Sequence, residues 1–249
     1  MAAEHIPPIK KPDNWTNTPL YKKIFFYRGF LGPIHAEYTD KLKAKEIVKS
    51  ICGSRIKIAE VVRMLSGPSD LQKEDIQNNH FIKATHGSGW LIDCAQETNL
   101  KENKAWLKRW NCIYSKEERQ YTFLQPRFFI EKKIHCAYLG GGGKALDIKV
   151  NCFYGKVVFL SIQTPDKKRN YYLPDGTEVL PPEFPYKRPN EMDELLELAS
   201  ALSKPFEYVR MDFYIAVDGI YFSEFTFTPK NGERRIPEEL ELEFGKMWL

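Results

Sequence analysis

The sequence predicts an α+β fold, built from long strand hairpins and one-sided helices. Two hairpin signals carry this prediction. One is "ALDIKVNCF" with "KVVFLSIQ" around Tyr154 and Gly155, and the other is "EYVRMDFYIAV" with "IYFSEFTF" around Asp218 and Gly219. The third observation is that 39–51, 99–110 and 189–203 space their apolar residues at helical intervals.

Composition narrows the class. The 249 residues allow one large domain or two small ones, at roughly 150 residues per domain. An apolar share of 43% and a charged share of 28% suit an ordinary soluble protein. A net charge of +4, spread along the chain, does not argue for nucleic acid. No segment has the roughly 18–20 continuous apolar residues of a transmembrane span. The start, "MAAEHIPPIKKPDNW", is polar and Pro-rich, unlike a secretory signal. The cysteines at 52, 94, 112, 136 and 152 are odd in number and form no Cys-x-x-Cys pair. That argues for reduced thiols, a cytoplasmic setting and no structural zinc.

The elements follow in order. Residues 1–20 read as an arm. The helix at 39–51 has Thr39 or Asp40 as N-cap and Leu42, Ile47, Val48 and Ile51 toward one face. "IAEVVRML" reads as a strand. Residues 80–94 read as strand, Gly-rich turn, strand. The helix at 99–110 takes Asn99 as cap and turns Leu100, Trp106, Leu107 and Trp110 inward. "RFFIEKKI" and "RNYYL" are further strands. The helix at 189–203 has Asn190 as cap and acids in its first turn. A last helix begins near Pro237. The glycines at 140–143 precede a strand rather than a helix, and so read as a connector. His5, His35, His80 and His135 lack ligand spacing and read as structural.

Three places carry chemistry. In "FIKATHGSGW", Lys83 interrupts an apolar strand that runs into His86, Gly87, Ser88 and Gly89. Such a loop lets backbone N–H groups approach an anion. Its plainer reading is a hairpin turn after a strand with a snorkelling lysine. In the second hairpin, alternation puts Tyr208, Arg210, Asp212 and Tyr214 on one face, and Glu224, Thr226 and Thr228 on one face of the partner. A two-residue loop would pair 212 with 225. A three-residue loop of Val217, Asp218 and Gly219, or an equivalent bulge, pairs 212 with 224 and 210 with 226. The second register is the one expected. It gathers two carboxylates, an arginine and a hydroxyl. Half-buried carboxylates need a cation between them, and hard oxygens suit Mg²⁺. A salt bridge of Arg210 with Asp212 or Glu224 is the alternative. The third place, Lys230, Arg234 and Arg235, either receives an anionic acceptor or is a solvated charge run.

The ordered set "LYKKIFFYR", "TDKLKAKEIV", "FIKATHGSG", "RFFIEKKI", "LDIKVNCFYGKVVFLSI", "RNYYLPDG", "LLELASALSKPFEYVRMDFY" and "IYFSEFTFTP" resembles the TupA-like (teichuronopeptide-biosynthesis-like) ATP-grasp family over about residues 20–249. The resemblance implies an ATP-grasp fold of two α+β subdomains clamping a nucleotide. It implies an arm at 1–20, an N-terminal α/β portion at 21–75, a first subdomain at 76–133 and a second at 134–249. It implies ATP and Mg²⁺ as cofactors. Lys41 and Lys83 would contact phosphates, under a flap of His86, Gly87, Ser88 and Gly89. The hinge 129–134, with Glu131 and Lys132, would meet adenine. Asp147 would sit near the ribose and Lys149 near the γ-phosphate. Arg210 would bind phosphate, and Asp212, Glu224 and Thr226 would surround the metal. Lys83, Lys149 and Arg210 would be catalytic. The wider superfamily has asparagine at the position of Thr226, and the family continues with Gly-Ser-Gly where this chain has "KNGERR". The implied activity is a carboxylate–amine ligase joining a carboxylate-bearing sugar or glycan to an amine. A phosphotransferase on the same fold and a non-catalytic nucleotide- or glycan-binding module are the alternatives.

Overall fold

The alternating polar and apolar residues of the two hairpins separate a wet face from a dry one, and this sorting organises the protein. The computed structural model describes residues 6, 8–96, 99–134, 147–164, 166–216, 218–234 and 236–249. Its helices are α1 (Leu20–Tyr27), α2 (Pro33–Thr39), α3 (Lys41–Cys52), α4 (Leu100–Trp110), α5 (Met192–Ser203) and α6 (Glu238–Lys246). Its strands are β1 (Lys57–Ile58), β2 (Val61–Leu65), β3 (His80–Ala84), β4 (Leu91–Asp93), β5 (Phe128–Lys132), β6 (Asp147–Phe153), β7 (Lys156–Gln163), β8 (Arg169–Tyr172), β9 (Val209–Ala216) and β10 (Gly219–Thr226).

The strands form a six-stranded sheet, β1-β10-β9-β6-β7-β8, and a four-stranded sheet, β2-β5-β3-β4. Among the described strands, only β1 runs parallel to its neighbour. The dry face of the large sheet presents Ile148, Val150, Leu160, Ile162, Met211 and Phe213, all buried. Helix α5 packs there with Leu195, Leu198 and Leu202. Full burial of such a side chain stabilises by about 1.5–3 kcal/mol. The small sheet has its own core, in which Ile82, Ile92, Phe128 and Ile130 meet Leu107 and Trp110 of α4.

Several elements differ from the sequence expectation. "IAEVVRML" is not one strand. Ile58 belongs to the large sheet and Val61 to the small one, so the chain crosses between sheets at Ala59 and Glu60. Residues 20–27 and 33–39 are helices that local pattern did not mark. Helix α3 is capped by Asp40, which accepts from the N–H groups of Leu42 and Lys43. Its buried side is Ala44, Lys45, Val48 and Cys52, and Ile51 is exposed. Trp106 is 46% exposed while Trp110 is buried. Helix α5 begins at Met192 behind Glu191, and Asn190 makes no cap. The arm is not free along its length. Trp15 is buried, and the Ile9 N–H donates to Glu207. The connector glycines at 140–143, with His5, His135 and Cys136, lie outside the described residues. Cys52, Cys94, Cys112 and Cys152 are free thiols.

His35 and His80 are structural, as expected. The His35 ring sits in the core between Tyr27, Phe206 and Phe227. Its Nδ1 accepts from the Gly32 N–H, and burial holds its pKa down to about 4. An unfolded histidine titrates near 6.5, so the unfolded chain binds more protons between the two values. Stability is therefore lost as pH falls from about 6.5 toward 4. Urea unfolding at pH 7.5 and pH 5 should differ by about 2 kcal/mol less in His35→Gln than in the parent, since one bound proton changes stability by ~1.4 kcal/mol for each step of one in pH. Equal pH dependence in the two proteins would remove this histidine from the account.

Candidate active site

Antiparallel pairing turns single side chains into rows. On the wet face of the large sheet, Glu224 pairs with Asp212, Asp212 with Lys149, Lys149 with Ser161, and Ser161 with Tyr171. One polar row thus crosses β10, β9, β6, β7 and β8. Beside it run Thr226, Arg210 and Asn151 on one side, and Tyr214, Asp147, Gln163 and Arg169 on the other.

The register of this row is the one expected, reached by the bulge. Gly219 pairs with Ala216 and Phe222 with Phe213; the ladder then shifts, so that Glu224 faces Asp212 and Thr226 faces Arg210. Ser223 is the extra residue. The three-residue loop is not used.

Asp212 is 4% exposed. Arg210 reaches it with two hydrogen bonds, Nε to Oδ1 at 2.7 Å and Nη2 to Oδ2 at 2.9 Å. Lys149 Nζ donates to Oδ2 at 3.0 Å and also to Asp147. Burial pushes the Asp212 carboxyl up, but the Arg210 and Lys149 charges outweigh it and hold the group below its ordinary value. Asp147 shifts the other way, raised by burial and by Asp212, and its Oδ1 is buried with no partner among the described residues. Glu224 is looser. It lies 3.7 Å from Arg210 and 3.8 Å from Lys41, and the Thr226 hydroxyl donates to it at 3.3 Å.

The small sheet carries a matching row of Met64, Phe129, Lys83 and Leu91. Met64 and Leu91 are exposed apolar side chains flanking the charge. Lys83 donates to Glu131, and so does Lys45. Glu131 is 3% exposed, a buried anion between two ammonium groups. Burial lowers Lys45 to about 7, helped by Lys83 and Lys41, and burial with Lys41 lowers Lys83 to about 8. Lys45 is absent from the residues that the sequence singles out. Its signal is the spacing of four from Lys41, which stacks both on one helix face.

Helix α3 brings the two rows together. The Lys41 N–H donates to Thr85 O at 3.1 Å, and Lys41 Nζ to Gly87 O at 2.7 Å, while the same side chain faces Glu224. The sequence-predicted residues Lys41, Lys83, Asp147, Lys149, Arg210, Asp212, Glu224 and Thr226 therefore converge.

Others do not. The His86 ring is 1% exposed, with Nε2 against Trp110 O at 2.8 Å and Nδ1 accepting the Arg127 N–H at 3.3 Å. These contacts anchor the loop and turn the ring inward. Gly87 lies so close to Trp90 that a Cβ would fall 2.5 Å from the ring. Gly89 has φ +71°, and Ser88 is exposed. Glu131 turns to lysines rather than outward to a base. Lys132 is one residue on, so it points to the other face and pairs with Glu60 at 2.8 Å. Lys230 is an exposed turn residue with φ +51°, and Arg234 pairs with Glu238 at 3.5 Å. Arg235 lies outside the described residues.

The chain matches the family model described as TupA-like ATPgrasp over residues 32–249. It belongs to the TupA-like ATP-grasp family. Two solved structures agree on the fold. The D-alanine–D-alanine ligase from Helicobacter pylori aligns with a TM-score of 0.56 at 16% identity, over 95% of this chain and 70% of that one. The biotin carboxylase–βγ-ATP complex from Campylobacter jejuni aligns with a TM-score of 0.51 at 15% identity, over 96% and 52%. The D-alanine–D-alanine ligase from Bacillus anthracis, complexed with ATP, gives 0.46 at 16% identity, and this chain covers 54% of its length. No curated protein sequence matches the chain. The fold is α+β and ATP-grasp. No described helix is long and apolar enough to cross a membrane.

Glu131 generates a test of the site's electrostatics. Glu131→Gln leaves the buried Lys45 and the half-buried Lys83 without an anion, which should cost about 3–5 kcal/mol at pH 7. Unfolded lysine titrates near 10.4, so the unfolded chain then binds more protons and stability should rise with pH. Urea unfolding should show a smaller deficit at pH 9.5 than at pH 7. A deficit independent of pH would mean the lysines are not the cause.

Proposed function

We propose that this protein is an ATP-dependent carboxylate–amine ligase that works through an acyl phosphate. The observation carrying this reading is the in-register row of Glu224, Asp212 and Lys149, with Arg210 beside it, opposite Lys83 and Lys41. Such a set suits a triphosphate, whose transferred phosphoryl is handled by positioning and charge neutralisation. Met64 and Leu91 supply exposed apolar surface in the Lys83 row for a flat base, above the buried Phe129. The family likeness favours a carboxylate acceptor on a sugar or glycan of a surface polysaccharide, handled in the cytoplasm.

The residues fit magnesium in a limited way. Among the described residues there is no cluster of three or more Asp, Glu, His or Cys ligands. Mg²⁺ in nucleotide sites is held by one or two carboxylates and by substrate phosphates, and that is what this chain offers. Glu224 is the freer ligand, and Asp212 has both oxygens engaged by cations. Thr226 both accepts from Arg210 and donates to Glu224, so it serves the carboxylate. When bound, the metal would screen the phosphate charge.

The chain's own groups then have distinct work. Lys83 and Lys41 hold phosphate oxygens, with the 87–89 backbone above them. Arg210 and Lys149 steady the γ-phosphoryl. An acceptor carboxylate oxygen attacks the γ-phosphorus as the bond to the β-phosphate oxygen breaks, and ADP leaves. The amine then attacks the carbonyl carbon, and phosphate departs as the nitrogen loses its proton. No side-chain nucleophile is required.

Glu224→Gln should lower MgATP turnover by about 100-fold or more while leaving the urea midpoint near that of the parent. Normal turnover in that variant would sink the metal assignment. Hydroxylamine separates ligase from kinase. An acyl phosphate yields a hydroxamate and ADP one for one, without the natural amine. A stable phosphate ester and no hydroxamate would leave the nucleotide site standing and replace the ligase by a phosphotransferase.

A further inference from the structure

The polar row does not end at Lys149. It continues through Ser161 on β7 to Tyr171 on β8, and Arg169 stands next to it on the same face. These three line one cleft with Lys149 and Arg210, walled on its helical side by α1 and α6. The cleft therefore opens from the reacting centre toward the β8 edge. Glu241, also on its wall, already accepts the Tyr21 N–H at 2.9 Å.

Arg169 is the unusual member. Its guanidinium donates to the neutral Gln163 amide at 3.0 Å and forms no ion pair among the described residues. The cations nearer the reacting centre are all committed to carboxylates: Lys149 to Asp147 and Asp212, and Arg210 to Asp212. A guanidinium has five N–H donors in a planar fork suited to a carboxylate or phosphate. Nothing in the row's own chemistry consumes Arg169, and the reading above gives it no role.

Its position fixes what it can serve. Lys149 lies on β6 and Arg169 on β8, two strand spacings apart, or about 10 Å across the sheet. Lys149 is held by Asp147 on its own strand and by Asp212 on β9, and Arg169 has no such carboxylate partner among the described residues. A carboxylate held at the reacting centre by Lys149 and Arg210 leaves Arg169 available for a second anionic group.

We propose that Arg169 binds a second anionic group of the acceptor, on the order of 10 Å from the carboxylate that is phosphorylated. The acceptor is then at least a dianion, with Ser161 and Tyr171 hydrogen-bonding the span between its charges. This rests on the carboxylate-ligase reading and names the substrate class for the same site.

The test uses matched carboxylates in the hydroxylamine assay: galacturonate against its 1,4-linked disaccharide, and octanoate against octanedioate. Calorimetry measures MgATP affinity separately on each protein. In the parent, the dianionic member of at least one pair should show a kcat/KM at least tenfold higher, carried by KM. Arg169→Ala should erase that advantage by raising KM for the dianion alone, and Arg169→Lys should restore part of it. Equal kcat/KM within both pairs overturns the proposal. So does equal loss for monoanion and dianion in Arg169→Ala, or failure of every probe to react while MgATP still binds. Failure to bind MgATP would instead overturn the nucleotide reading beneath it.

Discussion

The first turn of α3 sets the distance between the two sheets. Its backbone is tied to the small sheet through the Lys41 N–H and Thr85 O, and the helix lies against β10 of the large one. Asp40 caps the turn and also accepts from Arg127, just ahead of β5. Lys41 then spans the gap to Gly87 and Glu224, and Lys45 reaches Glu131. This turn fixes the Lys83 row against the Asp212 row, together with the Thr228 hydroxyl, which accepts from Gln120 and donates to Glu118. The covalent crossing at Ala59 and Glu60 is short and passes beside the same helix, since Ala59 O accepts from Lys45.

Charge balance explains why the wet faces look as they do. Each sheet buries one carboxylate and surrounds it with cations: Glu131 between Lys45 and Lys83, Asp212 between Arg210 and Lys149. A buried anion left alone would be expensive, and removing one partner costs far more than the pair contributes. The arrangement also keeps long cationic side chains in defined rotamers, so they are oriented before any anion arrives. On the proposed reading, that preorganisation is most of what the protein supplies to the reaction.

Legibility from sequence follows the range of the interactions. Hairpins, whose pairing is local, are readable down to the 212–224 register. The Lys83 and Asp212 neighbourhoods stand out because charge inside an apolar strand is a strong local anomaly. The partners of His86 and Glu131 are not legible in the sequence, because Trp110 O and Lys45 lie 24 and 86 residues away. The short helices at 20–27 and 33–39 escape notice because each gains its stability from tertiary packing rather than from propensity. The face of α3 is turned for a similar reason: it buries Lys45, which no hydrophobic count would choose. Ser161, Tyr171 and Arg169 are invisible in the sequence because only strand order places them beside Lys149.

The bulge at Ser223 has an evolutionary consequence. Phe222, Phe225 and Phe227 are buried while Glu224 and Thr226 share the wet face, a pattern that strict alternation from Phe222 cannot produce. Pulling the bulge flat while keeping Ser223 would exchange the two sets at once, driving carboxylate into the core and phenyl rings into the cleft. The oily and the charged inheritance of this strand are thus locked into one reading frame. The hairpin tip beyond it can drift in length and composition, but lineages that keep the site must keep the bulge or lose Ser223 along with it.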